Sequence, residues 1–384
     1  MNEFNTDSKA LRDTLKALKP FVDPKPHIPI LGYVKLESEN GMLSITAING
    51  DRFGTEPSHT TFKVKTPSCP SFQIAVRFDD LNKIVAKLKE KVMLCAEDQK
   101  LLINSKRLSF TINGRDPSDF PSSTNERGTL IASTMLDFRD LQKDLLFVMK
   151  ATEKSDKQHF TNGVLFDYCV PERLRLVGTD GRRLHSTFPQ GRCHTCASDR
   201  HQWIIPVRWI EAFTRLEMRR DVTYADVYFD FHEGDMMYWR IPSHDMYGMV
   251  ECMDTPYPDY EKVIPDERIS TFRLDKKPML ESLDAILPVA TQDDGRDMVV
   301  VHANGTINLS ARSESFGTAS AEVPCTHVCG PETRFALNIQ YLIETIKLSD
   351  KTVLMSNSAE LEPVVFEYPG TEKLAVLMPV RLPE

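Results

Sequence analysis

The feature that most constrains this chain is a strand-and-turn segment that recurs at one third of its 384 residues. Residues 174–184 read Leu-Arg-Leu-Val-Gly-Thr-Asp-Gly-Arg-Arg-Leu. Leu174 and Leu176 fall on one face and Arg175 and Val177 on the other, the period of a strand. Thr179-Asp180-Gly181 then breaks the pattern with a turn in which Asp bonds its own backbone and Gly can take a positive φ. Residues 43–51 (Leu-Ser-Ile-Thr-Ala-Ile-Asn-Gly-Asp) and 307–313 (Ile-Asn-Leu-Ser-Ala-Arg-Ser) have the same shape. The offsets are 131 (43 to 174) and 133 (174 to 307). Three copies of one domain follow from that spacing.

A second segment keeps step with the first. Residues 74–89, 204–218 and 335–349 each run from a short apolar strand into a helix, at offsets of 130 and 131. Apolar residues recur in these helices at three and four: Leu81, Ile84, Val85 and Leu88; Ile210, Phe213 and Leu216; Leu342, Ile343 and Ile346. A helix of the same pattern opens each third, at 10–18, 135–149 and 279–287. Two helices and about eight strands per third do not alternate as a doubly wound α/β fold requires. The pattern predicts an α+β domain, an antiparallel sheet with both helices on one face. Turn clusters at 116–121 and 254–260 place the boundaries so that the domains are 1–129, 130–268 and 269–384.

Composition narrows the classes. Hydrophobic content of 41% and charged content of 27% are those of an ordinary globular chain. No apolar run approaches a membrane span, and the start at Met1-Asn-Glu-Phe4 lacks a basic, apolar leader, so a cytoplasmic protein is expected. The eight cysteines are scattered, which argues against a disulfide scaffold. A net charge of −8 argues at first against nucleic acid, but its distribution reverses that reading. The six predicted helices, 7–19, 77–91, 135–150, 207–220, 275–287 and 338–351, hold 20 Lys/Arg against 15 Asp/Glu. The bias is strongest in Arg12, Lys16, Lys83, Lys87, Arg208, Arg215, Arg219 and Arg220. A basic helical surface in an acidic protein would hold phosphates without reading bases.

With three repeats and paired helices, the chain resembles the bacterial sliding clamp, the beta subunit of DNA polymerase III. The resemblance spans nearly the whole chain. It rests on Ile28-Pro-Ile-Leu31, Asn162-Gly-Val-Leu-Phe166, Ile204-Ile-Pro206, Tyr257-Pro-Asp-Tyr-Glu-Lys-Val-Ile-Pro265, Leu337-Asn-Ile-Gln-Tyr341 and Met378-Pro-Val-Arg-Leu382, in order, with Thr179 to Leu184 among them. It implies a homodimer closed head to tail, six DNA-clamp domains whose helices line a hole for double-stranded DNA. It implies a replication processivity factor rather than an enzyme, with no cofactor and no metal. Its partners would be the alpha subunit of DNA polymerase III and other polymerases, the delta subunit of the clamp loader, and repair proteins carrying clamp-binding peptides.

Carried over residue by residue, the resemblance implies DNA contacts from Lys25, Arg77 and Arg208, to which the helical charge adds Lys83, Lys87 and Arg215. It implies a peptide groove walled by Thr179, Gly181, Arg182, Arg183 and Leu184, by Pro258, Lys262 and Val263 of a domain linker, and by Asn338, Tyr341, Pro363, Met378, Pro379, Val380, Arg381 and Leu382. Val263, Tyr341, Val380 and Met378 are the expected apolar floor. Arg182 stands where the family often has His, Thr161 where it usually has an apolar residue, and Pro383-Glu384 extend past its usual end. His159 and Phe160 replace family aromatics. An open arc of three domains leaves a sheet edge at each end; Leu108 and Phe110 mark the expected edge of the first domain, facing the region of Val289.

Other chemistry has weaker signals. Cys193-His-Thr-Cys196 and Cys325-Thr-His-Val-Cys329 are half-motifs in different domains and do not make a zinc site. Asp180 with His185, or Asp293-Asp294 near His302, could be acid/base pairs, but such residues in turns are more often caps. There is no phosphate loop, H-E-x-x-H or nucleophile elbow, which leaves a metal-dependent hydrolase or nuclease without a constellation. A clamp-like scaffold that has lost DNA is the other alternative, and the retained basic residues speak against it.

Overall fold

The structure, a computed structural model, describes residues 4–23, 25–49, 58–65, 71–121, 128–153, 159–169, 173–195, 200–217, 222, 224–291 and 297–382. The first third contains β1 (Phe4–Asp7), α1 (Ser8–Leu18), β2 (Tyr33–Glu39), β3 (Met42–Asn49), β4 (Ser58–Lys65), β5 (Phe72–Arg77), α2 (Phe78–Val85), β6 (Lys91–Glu97), β7 (Lys100–Ser105) and β8 (Leu108–Arg115). The second contains β9 (Leu130–Asp137), α3 (Phe138–Met149), β10 (Gly163–Cys169), β11 (Arg173–Thr179), β12 (Arg183–Thr187), β13 (Gly191–Thr195), β14 (His201–Pro206), α4 (Val207–Thr214), β15 (Asp226–His232), β16 (Met236–Ile241) and β17 (Met246–Glu251). The third contains β18 (Ser270–Asp275), α5 (Lys276–Ala290), β19 (Met298–Ala303), β20 (Thr306–Ser313), β21 (Gly317–Cys329), β22 (Thr333–Asn338), α6 (Ile339–Lys347), β23 (Thr352–Asn357), β24 (Val364–Glu367) and β25 (Leu374–Leu377). The fold is α+β, and its sheets are antiparallel. The middle third has one strand more because the segment matching β21 is split there into β12 and β13.

Each helix starts where a strand runs straight into it. Asp7 accepts the Lys9 N–H (2.9 Å), Asp137 those of Arg139 (2.9 Å) and Asp140 (3.0 Å), and Asn338 that of Tyr341 (3.0 Å). These caps satisfy N–H groups that a first turn leaves open. One face of each helix is buried: Leu11, Leu15 and Leu18 on α1, Phe138, Leu141 and Leu145 on α3, Met279, Leu283 and Ile286 on α5. Helices pack in pairs, α1 with α2, α3 with α4 and α5 with α6. The predicted helices over 77–91, 135–150, 207–220 and 338–351 run too long, and the one over 275–287 too short, since α5 continues to Ala290. A strand precedes the first helix of each third, so Met135 to Asp137 belong to β9; α2 stops at Val85, and α4 stops at Thr214. Arg219 and Arg220 lie outside the described residues.

The domains are joined by sheet as well as by chain. β4 pairs with β17, His59 opposite Met249 and Phe62 opposite Met246. β12 pairs with β25, Leu184 opposite Val376 and Arg183 opposite Leu377. Two sheets, of 13 and 12 strands, therefore run across the domain lines. At each seam the hairpin strand of one domain meets the last strand of the next.

Candidate functional site

The site builds upward from the turn at 179–183. Gly181 sits at φ +81°, where a Cβ would be strained. Its N–H donates to Thr179 Oγ1 (3.1 Å), and that hydroxyl donates to the Arg183 carbonyl (2.7 Å). Asp180 Oδ1 accepts from the N–H groups of Arg182 and Arg183 (both 3.0 Å), so the Asx turn expected from Thr-Asp-Gly is present. Asp180 Oδ2 also takes the Arg183 Nε (2.9 Å). Arg183 then reaches across the domain line, its guanidinium 4.3 Å from the centroid of the Tyr341 ring and its Nη1 bonded to Glu344. Only 10% of the Arg183 side chain is exposed, so this clasp is largely shielded from solvent.

The terminal segment closes the same corner. Met378 N–H donates to the Arg182 carbonyl (3.0 Å), and Val380 N–H to that of Ala336 (2.8 Å). Beneath lies an apolar cluster on the sheet face away from the helices: Leu165, Val177, Leu184, Ile204, Val365 and Val376, all buried, with Tyr260 of the linker over them. Val263, Leu374, Phe160, Met253 and Tyr257 pack around it. The Tyr260 hydroxyl donates to Asp167 Oδ2 (2.6 Å), and Asp167, fully buried, also accepts from Arg200 Nε (2.8 Å). Those carboxylate contacts, Asp167 foremost, hold the Arg200 pKa above its ordinary value. Burial pushes up the Tyr257 hydroxyl, which points at the Val177 carbonyl (3.5 Å). The linker is thus pinned by a hydrogen bond to the buried Asp167 carboxylate, which Arg200 pairs from the surface, and by aromatic packing.

The structure brings together Thr179, Gly181, Arg182, Arg183, Tyr341, Asn338, Met378 and Val380 through hydrogen bonds or ring contacts, and Leu184 with Val263 through the apolar cluster. Lys262 is 82% exposed and pairs with Asp259 (2.9 Å). Pro258 and Arg381 are exposed; Pro363, Pro379 and Leu382 are half-buried. Pro383 and Glu384 lie outside the described residues. Of the residues expected as an apolar floor, Val263 packs against the cluster of Val177, Ile204, Val365 and Val376, whereas the Tyr341 ring is covered by Arg183 and Met378 is 39% exposed. Val177 was legible in the alternation of β11; Val365 and Val376 carried no signal except apolar character near the end of the chain.

The six expected DNA-facing cations are all exposed. Arg77 is the residue before α2, Lys83 lies within it, and Lys87 falls in the turn after it. Arg208 lies in the first turn of α4 and Arg215 caps its end, 3.8 Å from Glu211. Two other helical cations are spent internally: Arg12 donates to the Leu88 carbonyl, and Lys16 pairs with Glu217 (2.6 Å). The candidate acid/base pair of Asp180 and His185 does not form. Asp180 serves Arg183, while His185 is fully buried, stacked on Phe147 (4.9 Å) with Nδ1 at the Phe147 carbonyl (2.9 Å). His302 faces Glu332 (3.7 Å), and Asp293 and Asp294 lie outside the described residues. Among the described residues no three His, Cys, Asp or Glu cluster as metal ligands. Cys325 donates to the Gly305 carbonyl (3.4 Å), Cys329 is exposed and Cys193 packs against the core; Cys196 lies outside the described residues. No helix among the described residues is long and apolar enough to cross a membrane.

Known proteins share this arrangement over their full length. Residues 2–124 match the family described as DNA polymerase III beta subunit, N-terminal domain. The beta sliding clamp of Pseudomonas aeruginosa is 24% identical over 99% of this chain and 100% of its own. That of Treponema pallidum is 22% identical over 98% of each. Among solved structures, a sliding clamp from Pseudomonas aeruginosa bound to griselimycin superposes with a TM-score of 0.87 at 22% identity, covering both chains completely. The Helicobacter pylori beta clamp bound to a DNA ligase peptide superposes at 0.81, with 19% identity over 99% of this chain and 100% of that one. The superpositions speak to the fold, and the matching sequences to descent. Together with three repeats joined by two sheet seams, they show a chain with the fold of the solved beta sliding clamps, similar in sequence to beta sliding clamps over its full length, whose residues 2–124 match the N-terminal domain of the DNA polymerase III beta subunit.

Proposed function

We propose that the chain is a DNA sliding clamp, two copies of which close head to tail around duplex DNA and tether replication and repair proteins. The observation that carries this reading is the pattern of seams. β4 takes β17 and β12 takes β25, each time a hairpin strand with a last strand. The equivalents left over are β8, which ends the first domain, and β21, the hairpin strand of the third. Residues 108–113 of β8 pair only with β7, and residues 317–323 of β21 only with β20, among the described residues. These edges sit at opposite ends of one chain, so a second copy completes both and the contact closes.

The two observed registers predict the third: Leu108 opposite Ala321, Phe110 opposite Ala319. Leu108 is 48% exposed on this edge. Val289 lies on α5, which packs against β21 from beneath. The helix-borne cations Lys83, Arg208 and Arg215, with Lys25, Arg77 and Lys87 beside them, then supply phosphate attraction with no base-specific minimum, as sliding requires. The groove at 179–184 takes short extended peptides from polymerases, from the clamp loader and from repair proteins, in the cytoplasm. Each buried anchor contributes roughly 1.5–3 kcal/mol, which suits micromolar affinity and partner exchange.

Molar mass by sedimentation, with retention on circular DNA, tests the ring. The expected result is a dimer whose loading is lost in Ser320→Pro, since proline removes a ladder donor. A strict monomer at micromolar concentration would sink the reading. Arg208→Glu with Lys25→Glu should weaken DNA retention and flatten its salt dependence.

A further inference from the structure

The seam between the first and second domains holds a cleft of about 770 Å³, lined from both domains, in the size range of ligand clefts. It lies on the same sheet face, relative to the strands, as the groove at the β12–β25 seam. The registers make the match residue by residue. Ile48 pairs with His59 and Thr179 with Leu184, and 48 and 179 are 131 apart. His59 thus occupies the place of Leu184, opposite Met249 as Leu184 is opposite Val376.

The chemistry of the cleft is different. Its floor carries His59, Thr46 and Thr61, each less than a tenth exposed. The threonine hydroxyls bond each other (2.9 Å). The His59 ring lines the cavity and is only 7% exposed. Burial, with the nearby Lys35 charge, lowers its pKa to about 4, so at neutral pH it offers one donor and one acceptor. The walls balance: Lys35, Lys63 and Arg240 stand against Glu37, Asp230 and Asp245, with Lys35 and Glu37 paired at 2.8 Å. Neither an anion nor a cation gains net attraction there. At the rim Tyr247 is 40% exposed, its ring 5.1 Å from Lys63 Nζ.

We propose that this cleft is a second peptide-docking site, which takes an extended segment of a partner protein anchored by an uncharged amide or hydroxyl side chain on His59. An amide supplies both an acceptor and a donor, the two complements of a neutral imidazole that lines the cavity. The seam geometry supplies the extended track, and Tyr247 a flat surface beside it. Aliphatic anchors belong to the other seam, whose floor has no polar side chain to satisfy.

The test selects a displayed library of linear peptides on the full-length protein and measures the winners as synthetic peptides. A class enriched in Asn, Gln, Ser or Thr at one position is expected. Its affinity should fall about ten-fold or more in His59→Leu and in the rim variant Tyr247→Ala, and stay unchanged in Met378→Asp. Met378→Asp reports on the other groove, so failure there and failure here are read separately. Tyr247 is a surface residue, which keeps one arm valid if His59→Leu unfolds. The inference is overturned if no winner responds to either seam variant, or if the winners that do respond are anchored by Asp, Glu, Lys or Arg.

Discussion

The two intramolecular seams have one backbone plan and opposite outer faces. At β12–β25 the outer positions are Leu165, Val177, Leu184, Val376 and Leu374. The matching positions at β4–β17 are Lys35, Thr46, His59, Met249 and Tyr247. Their inner faces agree: Leu36 and Ile45 are as fully buried as Phe166 and Leu176. Both linkers even set an aromatic ring by the seam, Phe120 packing near Leu31, Ile48 and Ala75, and Tyr260 over the apolar floor. The difference shows how period two separates two tasks. Inward residues hold the repeat together, and outward ones can change from aliphatic to polar without moving a strand.

The largest test of that contrast replaces the apolar residue with a charge. Leu184→Asp puts an unpaired carboxylate into a 3% exposed site, and a loss of about 4 kcal/mol in urea unfolding is expected. A loss below about 1 kcal/mol would mean that the cluster is loosely packed.

Acid comes next. His59 at one seam and His185 beside the other both have folded pKa values near 4, lowered chiefly by burial, against 6.5 when free. The fold prefers both rings neutral, so their contribution is complete above pH 6.5 and is lost as pH falls toward 4. It amounts to on the order of 3 kcal/mol per ring. Unfolding free energies at pH 7 and at the acid end of that window should differ accordingly, and His59→Leu should remove part of the difference. A flat profile would show that neither ring is held neutral.

Removing residues 378–384 should lower the affinity of a clamp-binding peptide about 100-fold, near 2.7 kcal/mol by titration calorimetry, and leave the dimer intact. Unchanged affinity would mean that the groove is misplaced. Arg183→Ala deletes the clasp to Tyr341, Glu344 and Asp180, and should cost about 1–2 kcal/mol of stability. Calorimetry should show peptide affinity responding, since the Tyr341 ring is uncovered. The smallest effect belongs to His59→Leu at neutral pH, within about 1 kcal/mol in either direction, because a neutral ring is exchanged for an aliphatic one. A much larger loss would reveal a structural duty for His59.

Much of the fold was legible in the residues. The 131-residue spacing can be read along the chain, and the three-and-four pattern of Leu81, Val85, Ile210 and Phe213 and Thr179-Asp180-Gly181 are local signals, each determined by neighbours in sequence. The helix ends were less so. Lys87 and Leu88 continue the periodic pattern past Val85, yet the chain turns there to start β6, since a strand partner outweighs propensity. The proposed groove was half legible: its turn and terminal segment stood out, while Val365 and Val376 did not.

What the sequence by itself determined is the repeat, its element order and the polarity of each strand face. Only the tertiary structure decided which faces meet. The pairing of β12 with β25 joins residues nearly 200 apart, and β4 with β17 joins residues of different domains. It is this pairing that stacks Arg183 on Tyr341, sets Val376 against Leu184 and places His59 in the cleft. A side chain's alternation follows from its own strand, but its neighbour across a seam follows from a ladder of long-range hydrogen bonds that no local pattern encodes.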